Sequence, residues 1–223
     1  MKRITVLLAD DHMVVREGLR KLLQAEDDLE VVGEAQSGRQ AVELTRKLFP
    51  SVVVMDIAMP LLNGLEAARQ IRTSMPGTKV LVLSAHNDDA YVDQAIASGA
   101  AGFLLKQTSS HDLSRAIRTV QKGNTFFSPS IARRLRDQKI PGGGGALRKK
   151  VSHLSPREVE VLQLIAEGKA NKQTAAELGI SIKTVEKHRQ NLMVKLNIHE
   201  ISGLTRYAIA AGIIESSVQL TIR

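Results

Sequence analysis

Five polar residues, Asp10, Asp11, Asp56, Ser84 and Lys106, are spaced along the chain so that they could share one piece of chemistry. Asp56 ends the run Ser51-Val52-Val53-Val54-Met55-Asp56, which Pro50 and Pro60 bound. Three successive valines read as a strand buried on both faces, of the kind found in parallel sheets covered by helices. A carboxylate at the C-terminal end of such a strand stands where open α/β sheets bind their ligands. Asp10 and Asp11 follow a first apolar run, Ser84 ends a fourth and Lys106 a fifth. Three carboxylates in one pocket repel one another and call for positive charge. Oxygen-only ligands, few in number and with room for water, favour Mg²⁺ over Ca²⁺. An ammonium and a hydroxyl facing that cluster make sense if a phosphoryl group joins it. Mg²⁺ and Lys106 would neutralise the phosphoryl oxygens, and Ser84 would bind one of them. Asp56 would be the nucleophile that forms an acyl phosphate. Taken singly, each residue has a plainer role; an Asp-Asp pair before a helix is often only a cap and a dipole partner. All five falling at matching ends of alternating strands is a far more specific pattern than any one of them.

The elements needed to place them follow from the hydrophobic pattern. Strands are expected at Ile4–Ala9, Glu30–Ala35, Val52–Asp56, Lys79–Ser84 and Gly102–Lys106. Helices are expected at about Val14–Ala25, Gly38–Leu48, Gly64–Ser74, Ala90–Ser98 and His111–Lys122. Val15, Leu19, Leu22 and Leu23 form the apolar stripe of the first helix. Ser109 with Asp112 reads as a helix start of the capping-box kind. Strict β-α alternation predicts a parallel sheet with right-handed crossovers and helices on both faces.

The pattern then changes. Ser128–Lys139 is compatible with a helix, and Pro141-Gly142-Gly143-Gly144-Gly145 reads as a flexible tether. From Leu154 onward only helices are expected. Ser155-Pro156-Arg157-Glu158 supplies an N-cap, a proline at the first helical position and a glutamate reaching back. Lys172–Leu178 and Ile182–Asn197 flank Gly179-Ile180-Ser181, and a last helix covers about Ile201–Ala211. Two helices joined by such a turn make a helix-turn-helix candidate, whose second helix carries Lys183, Glu186, Lys187 and Gln190 on a polar face.

Composition narrows the classes. With 43% hydrophobic and 24% charged residues, the chain has an ordinary globular balance. No cysteine means no disulfide, thiol catalysis or cysteine-bound metal. No apolar run approaches a membrane span, and Asp10-Asp11 cut short the apolar start, so a signal peptide is not expected and a cytoplasmic protein is. The net charge of +8 divides as 0 over residues 1–122, +3 over 123–145 and +5 over 146–223. A polyanion partner would therefore dock on the second half. His12, His86 and His153 lack partner spacing for a metal and are expected on the surface or in loops. Two enzyme readings fail on the residues. A dinucleotide-binding domain wants G-x-G-x-x-G where this chain has Ala9-Asp10-Asp11-His12-Met13. A haloacid-dehalogenase-like phosphotransferase wants a second aspartate where Ala58 stands.

Residues 1–122 resemble a response-regulator receiver domain. The resemblance is carried by Asp10-Asp11, Asp56 with Met59-Pro60 and Gly64, Ser84-Ala85, and Gly102-Phe103-Leu104-Leu105-Lys106. It implies a flavodoxin-like sheet of order 2-1-3-4-5 and phosphorylation on Asp56. It also implies Mg²⁺ bound by Asp11, Asp56 and the backbone carbonyl of Ala58, with Asp10 acting through water, and Ser84 and Phe103 as a switch pair. Gln107 departs from the proline or acidic residue often found after the lysine.

Leu154–Asn197 resembles a LuxR-type helix-turn-helix, through Leu154–Leu162, Ala170-Asn171-Lys172 and Ser181–His188. Together the two halves resemble a NarL/FixJ-type response regulator. The resemblance implies base-facing Glu186, Lys187 and Gln190, and phosphate contacts from Lys172, Lys183, Thr184, His188 and Arg189. It implies a dimerisation helix with Ile201, Leu204, Tyr207 and Ala208. Gln173-Thr174 departs from the family, which more often has an acidic residue and then a branched aliphatic one.

The expected organisation is a receiver at 1–122, a linker at 123–150 and a DNA-binding domain at 151–223. The expected function is a transcriptional regulator, not a turnover enzyme, phosphorylated by a sensor histidine kinase or a small phosphodonor. It would dimerise and bind paired half-sites in double-stranded DNA. The alternatives are an interaction module whose DNA binding ignores phosphate, and a freestanding phosphatase or phosphotransferase.

Overall fold

The computed structural model describes residues 3–85, 89–127 and 154–214. The chain divides into two compact units, Met1–Ile140 and Pro141–Arg223. The stretch Ser128–Lys139, the glycine tether, His86 and His153 lie outside the described residues.

The first unit alternates β1 (Ile4–Ala9), α1 (Met13–Gln24), β2 (Leu29–Ala35), α2 (Gly38–Leu48), β3 (Val52–Asp56), α3 (Gly64–Ser74), β4 (Lys79–Ser84), α4 (Asp89–Ser98), β5 (Gly102–Leu105) and α5 (Ser110–Gln121). All strand pairs are parallel, in the order β2-β1-β3-β4-β5. The period of two in a strand divides the apolar residues between two cores. Leu7, Ala9, Val53, Met55, Val80 and Val82 pack with α2, α3 and α4. Val6, Leu8, Val52, Val54, Leu81 and Leu83 pack with α1 and α5. This explains why β3 is continuously apolar rather than alternating: both faces are covered.

Element bounds agree with the sequence pattern to within a residue, apart from local details. Leu22, expected on the buried stripe of α1, is 44% exposed, whereas Arg16 is only 4% exposed. Ser109 caps α5 by accepting from the Asp112 N–H, but the Asp112 carboxylate takes the Ser109 hydroxyl, so the box is not reciprocal. After α5 the chain returns to the sheet. Phe126 N–H donates to the Ala101 carbonyl and Phe103 N–H donates to the Phe126 carbonyl, each at 3.0 Å. Gly102 permits this approach, because a Cβ there would stand 2.7 Å from the Phe126 oxygen. The paired segment lies beyond the boundary expected at 122.

The second unit contains α6 (Pro156–Ala166), α7 (Asn171–Leu178), α8 (Ile182–Leu196) and α9 (Ile201–Ala210) among its described residues. α6 is the central helix: Glu158 through Ala166 are all buried. Its start is a reciprocal capping box between Ser155 and Glu158 with Pro156 at the first turn. α7 ends at Gly179 in the left-handed conformation, and Ser181 caps α8 by accepting from the Thr184 N–H. Arg157 fixes the turn from α6, donating to the Leu178 carbonyl and pairing with Glu160, both at 2.6 Å. Val185, Leu192 and Leu196 are buried along α8, while Ile182 at its first turn is 44% exposed.

Candidate functional site

The parallel register brings the acidic residues together. Ala9 of β1 pairs with Met55 of β3, so Asp10 and Asp56 are the next residues on adjacent strands. Asp56 pairs with Leu83, and Ser84 with Leu105, which puts Ser84 and Lys106 at the same end of the sheet. That end lies where β1 leads to β2 on one side while β3 lies on the other, the point at which an open sheet leaves a crevice.

Asp10 and Asp56 are buried, at 1% and 3% exposure, and Asp11 is exposed. Lys106 Nζ stands 2.8 Å from Asp56 Oδ2 and 2.7 Å from Asp10 Oδ2. The contact with Asp56 is a hydrogen bond; that with Asp10 lacks hydrogen-bond geometry and is an ion pair, since Coulomb attraction at such a distance does not need the angle. Asp56 Oδ1 accepts the Ile57 N–H at 2.8 Å. Gly64 lets the loop after β3 close over Asp56, because a Cβ there would lie 1.8 Å from the Asp56 carbonyl oxygen. Ala58, half-buried, lies in that loop. Ser84 and Phe103 are each 1% exposed, and Phe103 belongs to the core that holds Val53 and Met55.

Charge balance follows from these distances. Burial first, then the negative charge of Asp10, push the Asp56 carboxyl up to about 6, against the pull of Lys106. Burial alone would lower the Lys106 ammonium, but Asp56 and Asp10 outweigh it and hold it above its usual range. One ammonium thus serves two buried carboxylates, with a third beside them. The ligand atoms of Asp10, Asp11, His12 and Asp56 all lie within 4.8 Å of one another. A hard divalent cation fits this donor set: mostly carboxylate, with Asp10 Oδ2 buried and accepting no hydrogen bond.

His12 was expected to have no such partners. It is exposed, but its Nδ1 lies 2.9 Å from Asp11 Oδ1 and 3.3 Å from Asp10 Oδ1, at the rim of the acidic cluster. Sequence spacing hides this because the turn after β1, not a helical or strand period, folds the ring back. Arg16 is a second residue that the sequence did not single out. It donates to the Asp10 carbonyl at 2.7 Å.

In the second unit, Lys172, Lys183, Glu186, Lys187 and Gln190 are exposed, and Thr184, His188 and Arg189 are half-buried. Lys183, Glu186, Lys187 and Gln190 lie on α8 at helical spacing, so one helix carries most of the expected DNA-facing set. Arg189 is already engaged, donating to Asn171 Oδ1 at 3.0 Å, and so ties α8 to the start of α7. The four residues expected at a dimer contact separate. Ile201 is 56% exposed, but Leu204, Tyr207 and Ala208 are buried in the unit's own core. Those three close the small core of the unit, and Ile201 is the one of the four that faces outward.

A doubly wound receiver-like domain with a carboxylate pocket, followed by a helix-turn-helix, defines a two-part signalling regulator. The sequence profile of the response regulator receiver domain matches residues 6–118, and that of bacterial regulatory proteins of the luxR family matches residues 152–208. The transcriptional regulatory protein MctR of Rhizobium johnstonii is 39% identical over 212 residues, 95% of this chain and 96% of its own length. The transcriptional regulatory protein LiaR of Bacillus subtilis is 39% identical over 205 residues, 92% and 96% of the two chains. Among solved structures, the complex of the two-component response regulator RcsB with DNA is 31% identical, covers 94% of this chain and 99% of its own, and has a TM-score of 0.56. The chain belongs to the NarL/FixJ-type response regulators, a family of two-component transcriptional regulators rather than turnover enzymes. Among the described residues no helix is long and apolar enough to cross a membrane.

Proposed function

We propose that Asp56 accepts a phosphoryl group from a sensor histidine kinase, or from a small phosphodonor, and that this controls binding of the second unit to DNA. The observation that carries the reading is Lys106 Nζ held between the buried carboxylates of Asp10 and Asp56. A carboxyl pushed up to about 6 is still mostly ionised at neutral pH, so Asp56 can act as a nucleophile. One Asp56 oxygen attacks phosphorus; an O–P bond forms, the P–N bond of the donor phosphohistidine breaks, and the departing imidazole takes up a proton. Lys106 and the Ser84 hydroxyl bind phosphoryl oxygens. Asp11, Asp56 and the Ala58 carbonyl would hold Mg²⁺, with Asp10 joined through water; the ion supplies positive charge against the carboxylates and the phosphoryl oxygens. Ser84 and Phe103 pass the change to the sheet edge.

In this reading the receiver spans 1–122 with its pairing segment reaching Phe126, the linker runs on to 150, and the DNA-binding domain covers 151–223. Glu186, Lys187 and Gln190 face bases, while Lys172, Lys183, Thr184, His188 and Arg189 serve phosphates. The phosphorylated protein dimerises on paired half-sites in double-stranded DNA, with Ile201 on the exposed side of α9. The protein works in the cytoplasm. Acetyl phosphate with Mg²⁺ should retard the wild-type chain on a phosphate-affinity gel and tighten its binding to DNA. Asp56→Asn should show neither effect; a variant that responds as the wild type does would overturn the assignment.

A further inference from the structure

Arg16 is an arginine at 4% exposure on an otherwise amphipathic helix, and its contacts account for that burial. Its Nη1 donates to the Asp10 backbone carbonyl at 2.7 Å. Its Nε reaches Glu34 Oε2 only at 3.4 Å, and Glu34 is shared with Arg20 Nε at 3.6 Å. The short bond, not the ion pair, is therefore the one that orders the guanidinium. On its other side Asp10 N–H donates to the Ala35 carbonyl at 3.1 Å. The Asp10 peptide groups are thus pinned between β2 and α1. The Asp10 carboxylate is in turn aimed by the His12 N–H at 2.9 Å. Nothing else among the described contacts fixes the Asp10 carbonyl, and the loop it begins carries Asp11.

Resting on the reading of the acidic pocket given above, we infer that Arg16 is a positioning residue for the cation site. It holds the β1–α1 turn so that Asp10 and Asp11 face Asp56, without touching the ion. Outer partners of this kind typically change metal affinity by about 10- to 100-fold.

The test is calorimetric titration of the full chain with MgCl₂, with thermal melting and amide exchange in metal-free buffer as companion readouts. Arg16→Met should weaken Mg²⁺ about 10-fold and speed exchange at the Asp11 and His12 amides. Glu34→Gln, which leaves the bond to the Asp10 carbonyl, should keep wild-type affinity. Val120→Ala, a cavity in the core under α5, should lower the melting temperature and leave Mg²⁺ binding unchanged. Wild-type affinity in Arg16→Met, or equal weakening in Val120→Ala, would overturn the inference. Should Arg16→Met fail to fold, Arg16→Ala decides: it removes the donor to the Asp10 carbonyl, and wild-type affinity in it would overturn the inference. If the wild-type chain itself takes up no Mg²⁺, the cation reading of the pocket falls first and this inference with it.

Discussion

Each unit buries a carboxylate beside a lysine, and the two carboxylates respond in opposite directions. Asp56 lies 2.8 Å from Lys106, and Glu158 lies 2.7 Å from Lys195. Asp56 is pushed up, whereas Glu158 is held below its usual range. Burial raises both. For Glu158 it is outweighed by the hydrogen bond from Lys195 and those from Ser155. Glu158 also stands at the N-terminus of α6, where the helix dipole favours an anion. Asp56 has one N–H donor, shares its lysine with Asp10 and feels that second charge. A neighbouring lysine does not by itself decide whether a buried carboxylate is stabilised. The count of donors against like charges does. One carboxylate is balanced by its own chain and serves structure; the other carries an excess that a cation and a phosphoryl acceptor role can use.

The two carboxylates should differ most in their response to pH. Asp56 is raised in the folded state from 3.8 to about 6. Its contribution is therefore fully present below pH 3.8 and is lost as pH rises through about 6, a swing of roughly 3 kcal/mol in metal-free buffer. Glu158 is lowered from 4.5, so its contribution is present above that value and is lost as pH falls through the folded value. Amide exchange of β3 and α6, corrected for intrinsic rates, should show opposite trends over the acid range. Mg²⁺ should flatten the trend in β3 alone. Parallel trends would mean that the two sites do not differ in the way described.

The same contrast predicts opposite outcomes for one chemical change. Asp56→Asn removes a repelling charge and should stabilise the first unit by about 1–2 kcal/mol without metal. Glu158→Gln removes an accepting anion from a cap and should destabilise the second unit by about 1–2 kcal/mol. Lys195 is 41% exposed, so its ion pair adds little to that sum. Chemical denaturation of the full chain, followed by exchange in each unit, reads both.

Thr174 offers a third buried polar group with neither charge nor partner. It is fully buried on α7, and its hydroxyl makes no hydrogen bond. The sequence marks this position as unusual; the structure gives the physical cost. Thr174→Val should stabilise the second unit by about 1 kcal/mol, since it removes an unsatisfied hydroxyl at nearly constant volume. A destabilised variant would show that the hydroxyl has a partner after all.

The strands and the strand-end placement of the five polar residues were legible because strand periodicity is local and repeated; the strand order followed only from the resemblance to receiver domains. Asp10, Asp11, Asp56, Ser84 and Lys106 required only that alternate strands be parallel. Arg16 was not legible. Hydrophobic patterning counts arginine as polar and Leu22 as core, while the structure buries the first and exposes the second. What decides the exchange is a backbone carbonyl six residues away, which no periodicity encodes. Phe126 falls in the segment read as linker, past the last helix of the first half; its pairing with β5 is long-range and depends on Gly102 having no side chain. Leu204, Tyr207 and Ala208 show the reverse limit. A helix stripe reveals an apolar face, but a core and a dimer contact call for the same residues.

Arg118 forms a charge cluster of similar geometry on the solvent side of the first unit. From α5 it donates to both Asp28 oxygens, at 2.8 and 2.6 Å, and to Glu26 at 2.6 Å. By distance alone this cluster rivals Lys106 with its two aspartates. Its hydrogen bonds hold Glu26 and Asp28 below their usual range and hold Arg118 up. Yet Arg118 and Glu26 side chains are 34% exposed and Asp28 45%, so water and salt screen most of the attraction. Arg118→Met should cost only about 0.5 kcal/mol, and that cost should fade in about 1 M salt, where the screening length is about 3 Å. The loss from Glu158→Gln should survive the same salt, because its cap bonds are buried. If Arg118→Met proved the costlier change, short distance rather than burial and donor count would set the energetics, and the contrast between Asp56 and Glu158 would need another cause.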